Sequence, residues 1–186
     1  IKILKTHQGK YTVGNNSFCL HRSNFYKSNQ GLMVVSTKIH RETLIHFVEK
    51  LSPKIGQKKM IYYKLHPEEF IDQLAIKSRF NKFKNVQVVS DNLSLQELIN
   101  LCPNVMGINS TLINICLNAG CNIYLYKKGF YSGHKDIMDY VEAFDDLENF
   151  LELYEKNSKK LFNKQPIFFE KFNQEIFLNM VNERND

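Results

Sequence analysis

From Gly31 onward, short β-rich apolar runs alternate with amphipathic helical runs, and this rhythm constrains the chain more than any other feature. Leu32-Met33-Val34-Val35-Ser36 reads as a strand, and Arg41 to Leu51 as a helix with Leu44, Phe47, Val48 and Leu51 on one face. Pro53 and Gly56 end that helix. Met60 to Leu65 is the next strand, and Pro67 opens a helix running to about Phe80. Val86 to Ser90 reads as a short strand, after which Ser94-Leu95-Gln96-Glu97 forms a capping box opening a helix to about Cys102. Val105 to Ile108 is a strand, Asn109 or Ser110 caps a helix ending near Gly120, and Cys121 to Tyr126 is a strand again. Asp145-Asp146-Leu147-Glu148 opens a helix to about Glu155. Such alternation predicts an α/β fold: a doubly wound, mostly parallel, Rossmann-like sheet with right-handed crossovers.

The flanks are less regular. Lys2 to Lys5 and Lys10 to Leu20 hold short β-like runs around the turn signal Gly14-Asn15-Asn16. Residues 167–182 read as an amphipathic helix with Phe168, Phe169, Phe172, Ile176, Phe177 and Met180 apolar. The expected division is therefore 1–30 as an N-terminal extension or remnant of a linker or first domain, 31–160 as the Rossmann-like domain, and 161–186 as a C-terminal amphipathic helix. The chain has 186 residues, enough for one domain with a full core. It starts on Ile1, and a piece of a longer protein is the expectation.

An apolar fraction of 43% with 14 Phe, 9 Tyr and no Trp points to an aromatic-rich interior. The formal charge of +6 suits an anionic partner without choosing one. The four cysteines, Cys19, Cys102, Cys116 and Cys121, form no CxxC pair, and Cys102 and Cys116 sit in apolar segments where a reduced, buried thiol is expected. With no signal-like opening and no apolar run of bilayer length, the expected location is cytoplasmic, with peripheral contact at the inner membrane face allowed by the basic stretch Lys77 to Lys84. No GxGxxG, no P-loop and no HExxH or paired CxxC is present, which removes the main support for a dinucleotide oxidoreductase, a P-loop NTPase and a zinc site.

Chemistry concentrates where strands run into helices, the edge at which open α/β sheets bind ligands. In Tyr63-Lys64-Leu65-His66-Pro67-Glu68-Glu69 a histidine ends a strand and can donate to a phosphate, lowering the barrier as charge builds on a leaving group. Glu68 and Glu69 read as partners of the helix dipole rather than as acids or bases. Asn109-Ser110-Thr111 sets two hydroxyls at a helix start, whose free N–H groups suit an anion. Lys64 and Ser90 to Asn92 are expected to frame a nucleotide, and Ser36 and Thr37 to touch the phosphate or the transferred group. His134, in a loop with two glycines, reads as plain loop.

These segments in this order, with Val86-Gln87-Val88-Val89-Ser90, Ser94-Leu95-Gln96-Glu97 and the helix from Thr111 to Gly120, resemble the C-terminal half of GT-B glycosyltransferases over roughly residues 31–155. The likeness is greatest to bacterial sialyltransferases and polysialyltransferases, and to CDP-glycerol, capsule and teichoic-acid transferases. The resemblance implies that His66, Pro67, Ser110 and Thr111 hold the nucleotide phosphate of a donor. It implies a metal-independent glycosyltransferase of surface-polysaccharide synthesis, moving a sugar, sialic acid in the leading reading, from CMP to a glycan acceptor. No nucleic acid partner is expected. No general base is evident, and a second domain is expected to supply it; the 167–182 segment would cross to that domain or drive association. Two alternatives stand: a UDP-sugar-using GT-B enzyme or epimerase, which holds its nucleotide at the same edge, and a non-catalytic flavodoxin-like module.

Overall fold

The computed structural model describes residues 3–6, 9–12, 31–56, 58–128 and 137–157. Its centre is a six-stranded sheet, parallel throughout. A separate antiparallel pair, β1 (Ile3–Thr6) and β2 (Gly9–Thr12), precedes it. The Gly14-Asn15-Asn16 signal, His134, Cys19 and the 167–182 segment lie outside the described residues.

In chain order the sheet elements are β3 (Leu32–Val35), α1 (Arg41–Leu51), β4 (Ile61–Lys64), α2 (Gln73–Phe80), β5 (Val86–Val89), α3 (Leu95–Leu101), β6 (Asn104–Gly107), α4 (Thr111–Asn118), β7 (Asn122–Tyr126), β8 (Glu142–Phe144) and α5 (Leu147–Asn157). Across the sheet the order is β5-β4-β3-β6-β7-β8. The chain winds outward from β3 through β4 to β5, then returns past β3 to build β6, β7 and β8. The winding reverses between β3 and β6, and that crevice is where such sheets bind ligands.

Side-chain alternation sorts the core into two layers. Leu32, Val34, Ile61, Tyr63, Met106, Tyr124 and Tyr126 point to one face, where α1, α2 and α5 cover them with Leu44, Phe47, Ile76, Phe80, Phe150 and Tyr154. Met33, Val35, Val89, Val105, Ile123 and Leu125 point to the other, under Leu98 and Ile99 of α3 and Ile113, Cys116 and Leu117 of α4. The aromatic interior is confined to the first layer, where the Phe150 ring lies 5.0–5.6 Å from those of Phe144, Tyr124, Tyr154 and Phe47. The fully buried side chains of the second layer are aliphatic or thiol, with Tyr62 and Tyr140 partly buried against them, and Cys102, Cys116 and Cys121 are all free. Burial pushes the Cys102 thiol up, as expected for an inert core cysteine.

Three local features depart from the sequence reading. A 3-10 turn, Lys38–His40, leads into α1. The segment Pro67–Asp72 is 3-10 rather than α, and α2 proper starts only at Gln73. The three-residue β8 was not expected, because a short edge strand with a charged residue carries little apolar pattern. Among the described residues no helix is long and apolar enough to cross a membrane.

Candidate functional site

Strand register aligns the ends of β4, β3 and β6. Val35 pairs with Lys64 on one side and with Gly107 on the other. One step past the strands, Ser36 sits level with Leu65 and Ile108; two steps past, Thr37 is level with His66 and Asn109. Alternation then sends Ser36, Leu65 and Ile108 toward the aromatic layer. Thr37, His66 and Asn109 fall on the face that carries α4. His66 and Asn109 thus follow the two strands that flank the strand Thr37 follows.

His66 is held firmly. It is extended (φ −69°, ψ 146°) and caps the 3-10 segment, with Pro67 at the first position, where no N–H is missed. Its backbone N–H donates to Glu69 Oε2 at 2.8 Å. Its ring Nδ1 accepts the Glu68 N–H at 3.3 Å. With Nδ1 acting as acceptor, the neutral ring carries its proton on Nε2. The side chain is 40% exposed.

Glu69 is the residue that the sequence reading undervalued. It was read as a dipole partner, yet it is fully buried. Its Oε1 accepts from Ser36 Oγ at 3.0 Å, and Ser36 Oγ is also 2.9 Å from the Tyr63 hydroxyl. The Glu three residues after a cap was a visible capping-box signal; its contact with Ser36 joins residues 33 apart in sequence and was not. Burial pushes the Tyr63 phenol up. On the surface side Arg41 pairs with Asp72 at 2.5 Å, joining the connections that follow β3 and β4.

On the other side of β3, Ser110 caps α4 by accepting the Leu112 N–H at 3.3 Å. Thr111 is exposed, and Asn109 is half-buried. Gly107 lets the helix lie close to the sheet: a Cβ there would meet Ile113 Cδ1 at 3.0 Å and the Val35 carbonyl oxygen at 3.4 Å. Thr37 Oγ1, between the two halves, is buried without a hydrogen-bond partner.

The other expected residues frame this edge. Lys64 Nζ donates to the Ser90 carbonyl and lies 5.7 Å from the Phe70 ring centre. Burial pulls the Lys64 amine down, opposed by Asp91. Ser90 is buried, its Oγ bonded to Asp91 Oδ1 at 3.0 Å and its N–H to Asn92 Oδ1 at 3.2 Å. The structure therefore brings His66, Pro67, Thr37, Asn109, Ser110 and Thr111 to one edge. Ser36 lies behind that edge, in the interior, and Lys64 and Ser90 lie beside it toward β5.

A groove of about 700 Å³ lies elsewhere, between α1 and α5. Lys50, Lys54 and Lys128 face Glu42, Asp146 and Glu148 around it, and Lys54 is paired with Glu148 at 2.7 Å. Its charges largely cancel, which suits an anion poorly. Among the described residues no group of three or more His, Cys, Asp and Glu side chains is placed to hold a metal ion.

No protein-family model matches the sequence, and no curated protein matches it. The fold does match solved structures. One is a UDP-N-acetylglucosamine 2-epimerase, with a TM-score of 0.56 and 9% identity over 84% of this chain and 44% of that one. Another, from Listeria monocytogenes and assigned the same activity, gives a TM-score of 0.61 and 9% identity over 86% of this chain and 45% of that one. The chain thus spans somewhat less than half the length of the structures it matches.

These matches support a GT-B-like, Rossmann-type half. They correct the expectation of a sialyltransferase-type enzyme using a CMP-linked donor, because these two solved structures are UDP-N-acetylglucosamine 2-epimerases by description. The physical reason is that a His-Pro turn and a Ser-Thr helix start were read only as groups that suit a phosphate. Phosphate is common to both donor types, so these motifs carry no information about the base or about the fate of the sugar.

Proposed function

We propose that this chain is the nucleotide-sugar-binding half of a GT-B-like enzyme, and that its ligand is a UDP-linked N-acetylhexosamine processed by epimerisation. The observation that carries this reading is the placement of His66, Thr37 and the Ser110-capped start of α4 at one strand edge, across the β3/β6 crevice. In this reading His66 Nε2–H donates to one end of the diphosphate. The free N–H groups at the start of α4, with the Thr111 hydroxyl, take the other. Thr37 Oγ1 donates between them. Lys64, Ser90 and Asn92 border the nucleoside.

Epimerisation also needs carboxylates placed over the sugar, and we assign these to an opposing lobe. A surface for such a lobe is present beside the site. Ile39, Ile71 and Leu74 are 88%, 91% and 82% exposed. Ile39 and Ile71 sit in the 3-10 turns after β3 and β4, which the Arg41–Asp72 pair joins, and Leu74 in the first turn of α2. Apolar exposure of this kind marks a contact surface.

Isothermal titration with UDP, UDP-N-acetylglucosamine and CMP tests the proposal. UDP binding that is tighter than CMP binding, and weakened by His66→Ala, supports it. Absence of UDP binding by the folded protein, or equal binding by His66→Ala, overturns it.

A further inference from the structure

We infer that Glu69 is the positioning residue for His66, fixing both the place and the tautomer of the imidazole that the nucleotide-binding reading above relies on. The carboxylate has no solvent contact. One oxygen accepts the His66 backbone N–H at 2.8 Å and the other the Ser36 hydroxyl at 3.0 Å. The bond from the His66 N–H is the shorter of the two, and the one from Ser36 is longer than a typical O–H···O bond. Glu69 thereby joins the end of β4 to the end of β3 from behind, on the aromatic side of the sheet. The imidazole and Thr37 occupy the opposite side.

The effect on the ring follows from the capping geometry. Glu69 fixes the His66 backbone at the start of the 3-10 turn, and only with the turn formed does the Glu68 N–H reach Nδ1. That bond makes Nδ1 the acceptor and leaves the proton of the neutral ring on Nε2. Glu69 stands in the first turn, as the dipole reading expected, but its role goes beyond the dipole. It has both oxygens engaged by two different strand ends.

The test joins a ligand-free reading to a binding reading. Histidine-selective ¹⁵N NMR at about pH 8, where free imidazole is neutral, reports the ring tautomer; the His66 signals are identified by their loss in His66→Ala. The unaltered protein shows Nε2–H with Nδ1 hydrogen-bonded. Glu69→Gln, whose amide oxygen can still accept from the His66 N–H and whose NH₂ can donate to Ser36, keeps that signature. Glu69→Ala gives a mixed tautomer. If Glu69→Ala does not fold, Glu69→Asp, which withdraws the carboxylate by one methylene, gives the same direction of change.

In UDP titrations, Glu69→Ala or Glu69→Asp weakens binding toward the level of His66→Ala, a loss of about tenfold to a hundredfold for a hydrogen bond to a charged group. The double variant loses no more than His66→Ala alone, because both changes act through one bond. An unmoved tautomer in a folded Glu69→Ala or Glu69→Asp protein, or fully additive losses, overturns the inference. If UDP binding needs His66 but ignores Glu69, only the positioning role falls. If Glu69 controls the tautomer and UDP does not bind, only the nucleotide reading falls.

Discussion

Replacing Ser36 by alanine removes two buried hydrogen bonds with a single atom. Ser36 is 1% exposed. Its hydroxyl donates to Glu69 Oε1 at 3.0 Å and lies 2.9 Å from the Tyr63 hydroxyl. A bond to a charged acceptor contributes about 1.5–3 kcal/mol and a neutral one about 1 kcal/mol. Water has no access to replace either, so Ser36→Ala is expected to destabilise by about 3 kcal/mol, a large share of the roughly 5–15 kcal/mol of a whole domain. Urea unfolding followed by circular dichroism measures it. With a slope near 2 kcal/mol/M, the midpoint falls by about 1.5 M with the slope unchanged. In a Glu69→Gln background the charge is gone, and the same substitution is expected to cost only about 1–2 kcal/mol. A loss below about 0.5 kcal/mol in the unaltered background, or an equal loss in both, refutes the buried-carboxylate account.

Phe150→Ala removes the ring at the centre of the aromatic layer, and is expected to cost about 3–5 kcal/mol by chemical denaturation. Gly31→Ala places a Cβ 2.8 Å from the Leu101 carbonyl oxygen and 3.2 Å from Cys102 Sγ, so the strand must shift, at about 1–3 kcal/mol in the same assay. Burial pushes the phenols of Tyr63, Tyr124 and Tyr154 above their usual value near 10. A folded pKa raised above the unfolded one gives stability that is complete below pH 10 and lost as pH rises beyond it. Alkaline unfolding beginning above pH 10, with part of the tyrosinate absorbance appearing only on unfolding, is the expected result.

What the sequence disclosed depended on how local the cause was. The strands from Leu32 to Val35 and from Asn122 to Tyr126 are buried on both faces, so their apolar runs were plain to read. The cap role of Ser94 was legible, and the cap of α4 was narrowed to Asn109 or Ser110, because a cap acts within three residues; the structure selects Ser110. Strand β8 was missed because Glu142-Ala143-Phe144 shows little apolar pattern and owes its place to pairing with β7. The burial of Glu69 was hidden for a similar reason: it depends on Ser36 and Tyr63, brought near by the β3–β4 pairing. The site itself was half legible. The groups proposed to face phosphate were legible by type and place, whereas Thr37 gains interest only from its buried, unpartnered hydroxyl. The motifs carry no mark of a nucleotide base, and the transferase reading failed there.

The central claim is that a nucleotide diphosphate lies across the ends of β4, β3 and β6. An amide ¹H–¹⁵N titration with UDP locates it most directly. The account predicts shifts concentrated at Thr37, His66 and Asn109 to Leu112, and their loss in His66→Ala. Shifts centred on the groove between Phe47 and Tyr126, or a spectrum unmoved by UDP, would contradict it.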